Sequence, residues 1–402
     1  MKSYAGLLRT PGVARILVAQ LVARFPGGML SLGFILHIEK IFDSYGAAGV
    51  VLAALSVGQG VSGPLLSRWM GRWAMRPVLI LATVVCASAL TTIALASLPL
   101  WGYVIVAAVA GLSYPPVQPA VRTVYPKMVN GRQLTPLFSL DATAQEIIWI
   151  FGPVVVTFVS IQVSSVLGIL LSVGFLVVGG AWFISSPELG RVRIPQSKRR
   201  FGTVLARPPV LLATVVGALV VGSFAATETG VVATFGDHGP EAGFVLAIWS
   251  VASFSGGLLF GHLPLGPWSL ARRTLVIAVG TLLAAFAWDF WSLSLLLVIA
   301  GVCIAPALAA LSAMVSVSVR FSDTAEAYGW VGTGQLIGAA AGAAVAGFVI
   351  DGTVAAGGIF TAAALATLAV VVAAVFHRAV PDLRGRDASP LPDTEPVPVQ
   401  PS

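Results

Sequence analysis

Long apolar stretches recur along this chain, and they limit its fold more than any other feature of the sequence. There are twelve, each close to the roughly 20 residues that an α-helix needs to cross a bilayer, with short polar connections between them. Only 10% of the residues are charged and 57% are hydrophobic, whereas soluble domains carry about 25% charged residues. The sequence therefore predicts an all-α integral membrane protein with twelve transmembrane helices.

The predicted helices fall into two groups of six. Helices 1 to 6 are predicted over 13–38, 46–66, 77–96, 101–124, 138–160 and 163–184, and helices 7 to 12 over 209–234, 242–262, 273–290, 293–318, 325–350 and 356–377. This division predicts an amino-terminal bundle (1–184), a basic cytoplasmic linker (185–208), a carboxy-terminal bundle (209–378) and a proline-rich, disordered cytoplasmic tail (379–402).

The two groups also repeat each other. Residues 49–67 of helix 2 and residues 243–261 of helix 8 are identical at eight of nineteen positions. Duplicated halves of this kind hold a binding site near the membrane midplane, between the halves. We therefore expect two pseudo-symmetric six-helix bundles with a cavity between them.

Basic residues mark one side of this topology. Of the 23 Lys and Arg residues, 21 fall on the side that carries both termini and the linker, while Lys40 lies opposite and Arg24 lies within helix 1. By the positive-inside rule, both termini are predicted to be cytoplasmic, in a multi-pass protein of the cell (inner or plasma) membrane. Because topology accounts for the net charge of +7, no nucleic-acid partner is expected.

A family resemblance begins in the segment between helices 2 and 3. Residues 67–77 read Ser-Arg-Trp-Met-Gly-Arg-Trp-Ala-Met-Arg-Pro. Arg72 and Arg76 stand where members of the Major Facilitator Superfamily carry two arginines in a Gly-x-x-x-Asp-Arg-x-Gly-Arg-Arg loop, and Gly71 replaces the aspartate. In the family, that acid helps to latch the cytoplasmic side, so the resemblance implies a different latch in this chain.

A second point of resemblance lies in helix 5. Residues 151–153, Phe-Gly-Pro, resemble the Gly-Pro of the family's antiporter motif, although the flanking glycines of that motif are missing. The chain resembles the superfamily over nearly all of 1–378, and most of all its drug- and metabolite-efflux branches. The resemblance implies a transporter, and a composition rich in Gly, Ala and Val suggests a bacterial source.

Arg24 lies in the middle of helix 1, where a permanent charge costs several kcal/mol unless it faces a partner or water. Gln20 shares its helical face, together with small residues that follow. A polar face at this depth is typical of a helix beside a water-filled cavity. Arg24 is interpreted either as a substrate or coupling residue or as part of a buried ion pair that locks helices together.

Three carboxylates are candidate partners for Arg24. Asp141 and Glu146 lie on helix 5 toward the cytoplasmic side, and Glu228 lies on helix 7 toward the outer side. A glutamate held between burial and a nearby arginine can bind and release a proton, as proton-coupled transport requires. Alternatively, Glu146 is a structural cap for a basic residue such as Arg122, and Glu228 is solvated in the outer vestibule.

Helix 4 is predicted to be broken and to line the cavity. Tyr114, Gln118 and Arg122 follow one another at intervals of four, with three prolines within 115–119. Proline leaves backbone carbonyls without a donor, which a membrane tolerates only toward a cavity or another helix. The alternative is a kink that serves packing alone. Gln59 on helix 2 adds a further polar group.

Two candidate sites follow from these observations. The substrate or coupling site comprises Arg24, Glu146, Glu228, Gln20, Gln59, Tyr114 and Gln118, and the cytoplasmic gate comprises Arg72, Arg76, Arg122 and Asp141. The sequence contains no GxxxxGK[ST] or HExxH motif, so we expect no ATP-driven motor, no enzyme, no cofactor and no metal site.

The predicted function is secondary active transport by alternating access. A wall of Phe25, Trp149, Phe224 and Trp249 with few charges favours proton-coupled export of an amphipathic small molecule or metabolite. The expected partners are therefore a small-molecule substrate, protons and the lipid bilayer, with the chain acting as a monomer. Uptake of a polar nutrient, such as a sugar or an organic acid, is the alternative. A non-transporting scaffold or receptor is least favoured, because the tail is short and intramembrane charges are present.

Overall fold

A computed structural model describes residues 2–197, 199–235, 241–385 and 387–393. Within these ranges the chain is almost wholly helical, and its β-structure is one isolated bridge between Arg320 and Leu391. The last part of the predicted tail, 394–402, lies outside the described residues.

Twelve long helices in the described part follow the predicted order. The first six are Val13–Phe42, Tyr45–Trp73, Met75–Leu95, Leu100–Lys127, Gly131–Gln162 and Ser165–Ser185, and the second six are Pro208–Phe235, Glu241–Phe260, Ser269–Ala284, Phe290–Ser318, Phe321–Gly352 and Gly357–Val375. Eleven of them are long and apolar enough to cross a membrane. Helix 9, with 16 residues, is the short one. The predicted all-α, twelve-helix membrane architecture is confirmed.

Helix 5 begins at Gly131, seven residues before its predicted start at residue 138. The side chain of Gln133 accepts a hydrogen bond from the backbone N–H of Asn130 at 3.4 Å, which is half of a capping box. This cap stabilises a polar first turn that hydropathy alone does not recognise as helix.

Three helices are interrupted near their middles. Helix 4 breaks between Leu112 and Val117, at its prolines, as predicted. Helix 10 breaks between Gly301 and Ile304, at the equivalent place in the second half. Helix 1 contains a 3₁₀ turn over Phe25–Gly28. Each break brings backbone groups and side chains out of the regular helical pattern beside the centre of the molecule.

The amino-terminal helix, the linker and the described part of the tail lie on one face, which we call the terminal face; the opposite side is the distal face. An amino-terminal helix, Lys2–Arg9, packs there, and its Tyr4 hydroxyl donates to the Gly257 carbonyl of helix 8 at 3.1 Å. In the linker, the Gly202 N–H donates to Glu326 of helix 11 at 2.7 Å. These connecting segments therefore contact helices of the second half.

The described part of the tail, up to residue 393, packs on the terminal face, unlike the disordered tail that composition predicts. Backbone hydrogen bonds join it to Leu265 before helix 9, Gly131 at the start of helix 5 and Val319 at the end of helix 10. Val380, Leu383 and Ala388 are buried. The composition argument overlooked these apolar residues, which lie between the prolines and give the segment surface to bury.

Candidate functional site

A cavity of about 380 Å³ lies between the two halves, at the level of the helix breaks. Six of the seven predicted substrate or coupling residues line it: Arg24, Gln59, Tyr114, Gln118, Glu146 and Glu228. Gln20 does not, because it is fully buried behind Arg24. Phe25 also turns away and stacks on Phe175, with ring centroids 4.8 Å apart.

Arg24 pairs with Asp141 among its three candidate partners. The Arg24 Nη1 to Asp141 Oδ1 distance is 3.6 Å. The guanidinium also donates to the side-chain oxygens of Gln20 at 2.8 Å and Gln145 at 2.5 Å. All of these partners belong to helices 1 and 5, so this network braces the first half and does not join the two halves.

Asp141 is the centre of this network and is fully buried. Besides Arg24, its carboxylate accepts from Arg122 Nε at 3.1 Å, Tyr125 Oη at 3.0 Å and Gln20 Nε2 at 3.1 Å. Two guanidinium groups share one carboxylate, so the cluster keeps a formal charge of +1. Complete hydrogen bonding reduces the cost of burying these charges.

Arg122 and Asp141 were predicted at the cytoplasmic gate, and the structure places both inside the first half. With its amide oxygen directed at Arg122, Gln118 accepts from both terminal guanidinium nitrogens at 2.8 and 2.9 Å. The guanidinium carbon of Arg122 also lies 5.9 Å from the ring centre of Tyr328 on helix 11. This cation–π contact connects the charged cluster to the second half.

Of the other two predicted gate residues, Arg76 contacts the first half and the linker. Arg76 donates to the Ile184 and Ser186 carbonyls at 3.1 and 3.2 Å, and Arg72 is exposed. A different arginine, Arg68, makes the cross-half ion pair: its Nη1 lies 2.5 Å from the Glu326 Oε2. Sequence reasoning did not select Arg68 for the gate.

The halves meet closely on the terminal side of the cavity. Thr333 Oγ1 donates to the Gly60 carbonyl at 2.6 Å, between helices 11 and 2. Ser139 Oγ donates to the Gly257 carbonyl at 2.8 Å, between helices 5 and 8. Among the described residues, the hydrogen bonds and ion pairs between the halves lie at the cavity or on its terminal side. The cavity is therefore closed toward the terminal face.

Glu146 joins the two halves at the cavity. Its Oε1 accepts from Ser253 Oγ of helix 8 at 2.8 Å. The alternative that Glu146 caps Arg122 is wrong, because Arg122 bonds to Asp141. Glu228 is exposed in the cavity, one helical turn from Phe224, whose ring packs edge-on against Trp249 with centroids 5.7 Å apart.

Helix 5 serves both networks because its polar residues lie on two faces. Asp141 and Gln145, four apart, face Arg24. Ser139 and Glu146 face helix 8 of the other half. Sequence reasoning missed Gln145 and the Glu146 partner on helix 8, although the i, i+4 spacing of Asp141 and Gln145 could have revealed the first face.

Two pseudo-symmetric six-helix halves around a central cavity define the class of the protein, a transporter of the inverted- or parallel-repeat type. A family model described as Major Facilitator Superfamily matches residues 16–288, about two thirds of the chain. The chain belongs to the Major Facilitator Superfamily, a family of transporters. Comparison with curated protein sequences returns no significant match.

Solved structures share this fold at low sequence identity. A bacterial homologue of the iron transporter ferroportin in its outward-facing state has a TM-score of 0.72 and 10% identity over 90% of this chain and 98% of that one. The human organic anion transporter MFSD10 (TETRAN) has a TM-score of 0.68 and 14% sequence identity, and the match covers 90% of this chain and 100% of that one. The Escherichia coli fucose:proton symporter FucP has a TM-score of 0.66 and 16% sequence identity, and the match covers 91% of this chain and 97% of that one. These likenesses show the fold alone.

Proposed function

We propose that the protein is a proton-coupled secondary transporter that exports an amphipathic small molecule by alternating access, acting as a monomer. The observation that supports it is the cavity between the halves, closed on one side, with two carboxylates beside aromatic rings. Positive-inside topology assigns the terminal face to the cytoplasm of a cell membrane. The described state is then open outward.

The coupling role proposed for Glu146 rests on its cross-half hydrogen bond. Hydrogen bonds to an ionised carboxylate are roughly twice as strong as neutral ones. Protonation of Glu146 would therefore weaken its bond with Ser253 and shift the equilibrium between the two states of the cavity. Because no described hydrogen bond or ion pair holds its carboxylate, Glu228 is free to bind a proton or a cationic group of the substrate.

The lining of the cavity supports an amphipathic substrate. Trp149, Phe224 and Trp249 offer flat apolar surface, on which aromatic or aliphatic groups and cations pack favourably. The second candidate is uptake of a polar nutrient. It is favoured by four amides in the same lining, those of Gln59, Gln118, Gln145 and Gln335, since amides can donate to and accept from hydroxyl groups.

The test is transport into liposomes of known protein orientation under an imposed pH gradient, with labelled hydrophobic cations, organic acids and sugars. We expect gradient-driven exchange of an amphipathic compound, reduced at least tenfold by Glu228→Gln. Glu39→Gln, the same change at the distal end of helix 1, is the matched control. Transport that ignores the gradient, or full coupling in both Glu146→Gln and Glu228→Gln, would contradict proton coupling. Gradient-driven accumulation of sugars alone would favour the nutrient alternative.

A further inference from the structure

A second cavity, of about 540 Å³, opens on the terminal face, away from the central one. It is assembled from three separate segments: the connection before helix 9, the end of helix 12 and the tail. Its charged side chains are Arg272, Arg378 and Arg384, and Trp268 and His377 form part of its wall. The proposed transport cycle uses none of these groups.

The charge of this pocket is strongly positive. Arg272 and Arg378 are exposed, and no described carboxylate lies within ion-pair distance of either. Arg384 lies against Asp382, with nitrogen–oxygen distances of 2.6 and 2.9 Å. Three guanidinium groups against one carboxylate leave a formal charge of +2. A pocket with this excess attracts an anion.

The pocket is held in shape by specific contacts. The rings of Trp268 and His377 stack, with centroids 4.3 Å apart and planes 16° apart, which ties the connection before helix 9 to the end of helix 12. The Leu383 N–H donates to the Leu265 carbonyl at 2.7 Å and thereby fixes the neighbouring Arg384. A Cβ at Gly266 would lie 3.3 Å from Arg384 Nε, so glycine leaves room for this guanidinium.

The helix surfaces beside the pocket are apolar and exposed. On helix 9, Leu275 and Val279 share a face with Arg272, at spacings of three and four residues. On helix 12, Val371 and Val375 are likewise exposed, and Arg378 lies in the 3₁₀ turn that follows the end of this helix. Each helix therefore has an arginine at, or just beyond, its end on the terminal face and an exposed apolar strip that extends toward the distal face.

We propose that this pocket binds a phosphate group, and that the group is the headgroup phosphate of an anionic phospholipid. Guanidinium groups match phosphate oxygens with paired hydrogen bonds, and basic pockets at the membrane surface bind anionic headgroups. The two apolar strips offer the acyl chains a surface directly below the headgroup. A free phosphate ion would use the same arginines and would leave the strips uncovered.

The test compares ligands on the purified full-length protein by thermal melting and native mass spectrometry. The ligands are dioctanoyl phosphatidylglycerol, dioctanoyl phosphatidylcholine and inorganic phosphate. The test variant carries Arg272→Gln, Arg378→Gln and Arg384→Gln. The control variant carries Arg132→Gln, Arg193→Gln and Arg200→Gln, which removes the same charge from exposed arginines elsewhere on the terminal side.

We expect phosphatidylglycerol to bind the wild type more tightly than phosphatidylcholine. The pocket variant should bind it at least tenfold more weakly, and the control variant within twofold of wild type. A different outcome is that inorganic phosphate raises the melting temperature as much as phosphatidylglycerol does, with the rise lost in the pocket variant. That result would support the phosphate site, with free phosphate as its ligand. Equal lipid affinity in both variants, or no binding to the wild type, would overturn the proposal. The single variant Arg272→Gln repeats the test if the triple variant folds poorly.

Discussion

The two halves follow the same order of helices, but among the described residues a buried ionic network is found in the first half alone. In the first half, Arg24 and Arg122 converge on the buried carboxylate of Asp141. Close glycine contacts occur in both halves: Gly58 and Gly111 lie between helices 2 and 4, and Gly338 and Gly342 of helix 11 lie against the backbone of helix 7. A duplicated fold has thus kept its shape while its internal contacts have diverged.

The ionic network and the glycine contacts have different structural consequences. Buried ions need partners in fixed geometry, so the first half holds the arginine wall of the cavity in place through hydrogen bonds. Glycine contacts allow two helices to approach closely and pack by van der Waals attraction, so helices 7 and 11 form a tight pair that presents Glu228. Four changes, from the largest expected effect to the smallest, test this contrast.

Asp141→Asn should have the largest effect. It would leave two buried arginines without a carboxylate, which costs about 3–5 kcal/mol when a buried pair is broken. The free energy of unfolding in mixed micelles measures this loss. Asp351→Asn, at an exposed position near the end of helix 11, should change it little. Equal stability of the two variants would show that the ionic network does not brace the first half.

Gly338→Ala should be the next most damaging change. A Cβ there would meet the backbone carbonyl of Ala218 on helix 7, and overpacking of this kind costs about 1–3 kcal/mol. Gly347→Ala lies on the same helix with no atom near the added Cβ, so it should stabilise the protein by about 0.5–1 kcal/mol. The same unfolding assay compares the two, and an unaffected Gly338→Ala would refute close packing in the second half.

Arg68→Ala tests the connection between the halves. Loss of its ion pair with Glu326 should shift the balance of conformations by about 1 kcal/mol, or roughly fivefold, toward opening at the terminal face. Spin labels at positions 132 and 272, one in each half, measure this opening as an increase in the population with a longer distance between the labels. Arg72→Ala, one turn away and exposed, should leave the distance distribution unchanged; a matching shift would deny Arg68 a special role.

Asp289 should give the smallest effect, and one that depends on pH. It caps helix 10, whereas helix 4, its counterpart, begins after Pro99 without a side-chain cap. Hydrogen bonds with Ser292, through its side chain first and its backbone N–H second, lower the pKa of Asp289. Its stabilising contribution is therefore complete above the ordinary pKa of an aspartate and is lost as pH falls through the lowered value.

The measurement is the melting temperature of wild type and Asp289→Ala at pH 7 and near pH 3. The variant should melt lower at pH 7, and the difference should shrink in acid. A difference that does not change with pH would mean that the charge of Asp289 contributes nothing to the cap.

Hydropathy, charge placement and prolines predict the helices, their order and the broken helix 4, because each of these features can be read within a single segment of the sequence. The partner of Arg24 depends on how helices 1 and 5 are rotated about their axes. One residue of rotation, about 100°, separates the face with Asp141 from neighbouring faces. The ion pair of Arg68 was missed for a similar reason: Arg68, one turn before Arg72, faces helix 11, and only packing reveals which turn that is.

The ordered part of the tail has a mechanical consequence for the proposed transport cycle. It is bonded to Gly131 of the first half and to Leu265 and Val319 of the second, so it spans the seam that separates the halves on the terminal face. That seam can widen only after one of these attachments has detached. The amino-terminal helix crosses the same seam through the hydrogen bond from Tyr4 to Gly257, so segments from both ends of the described chain oppose this widening.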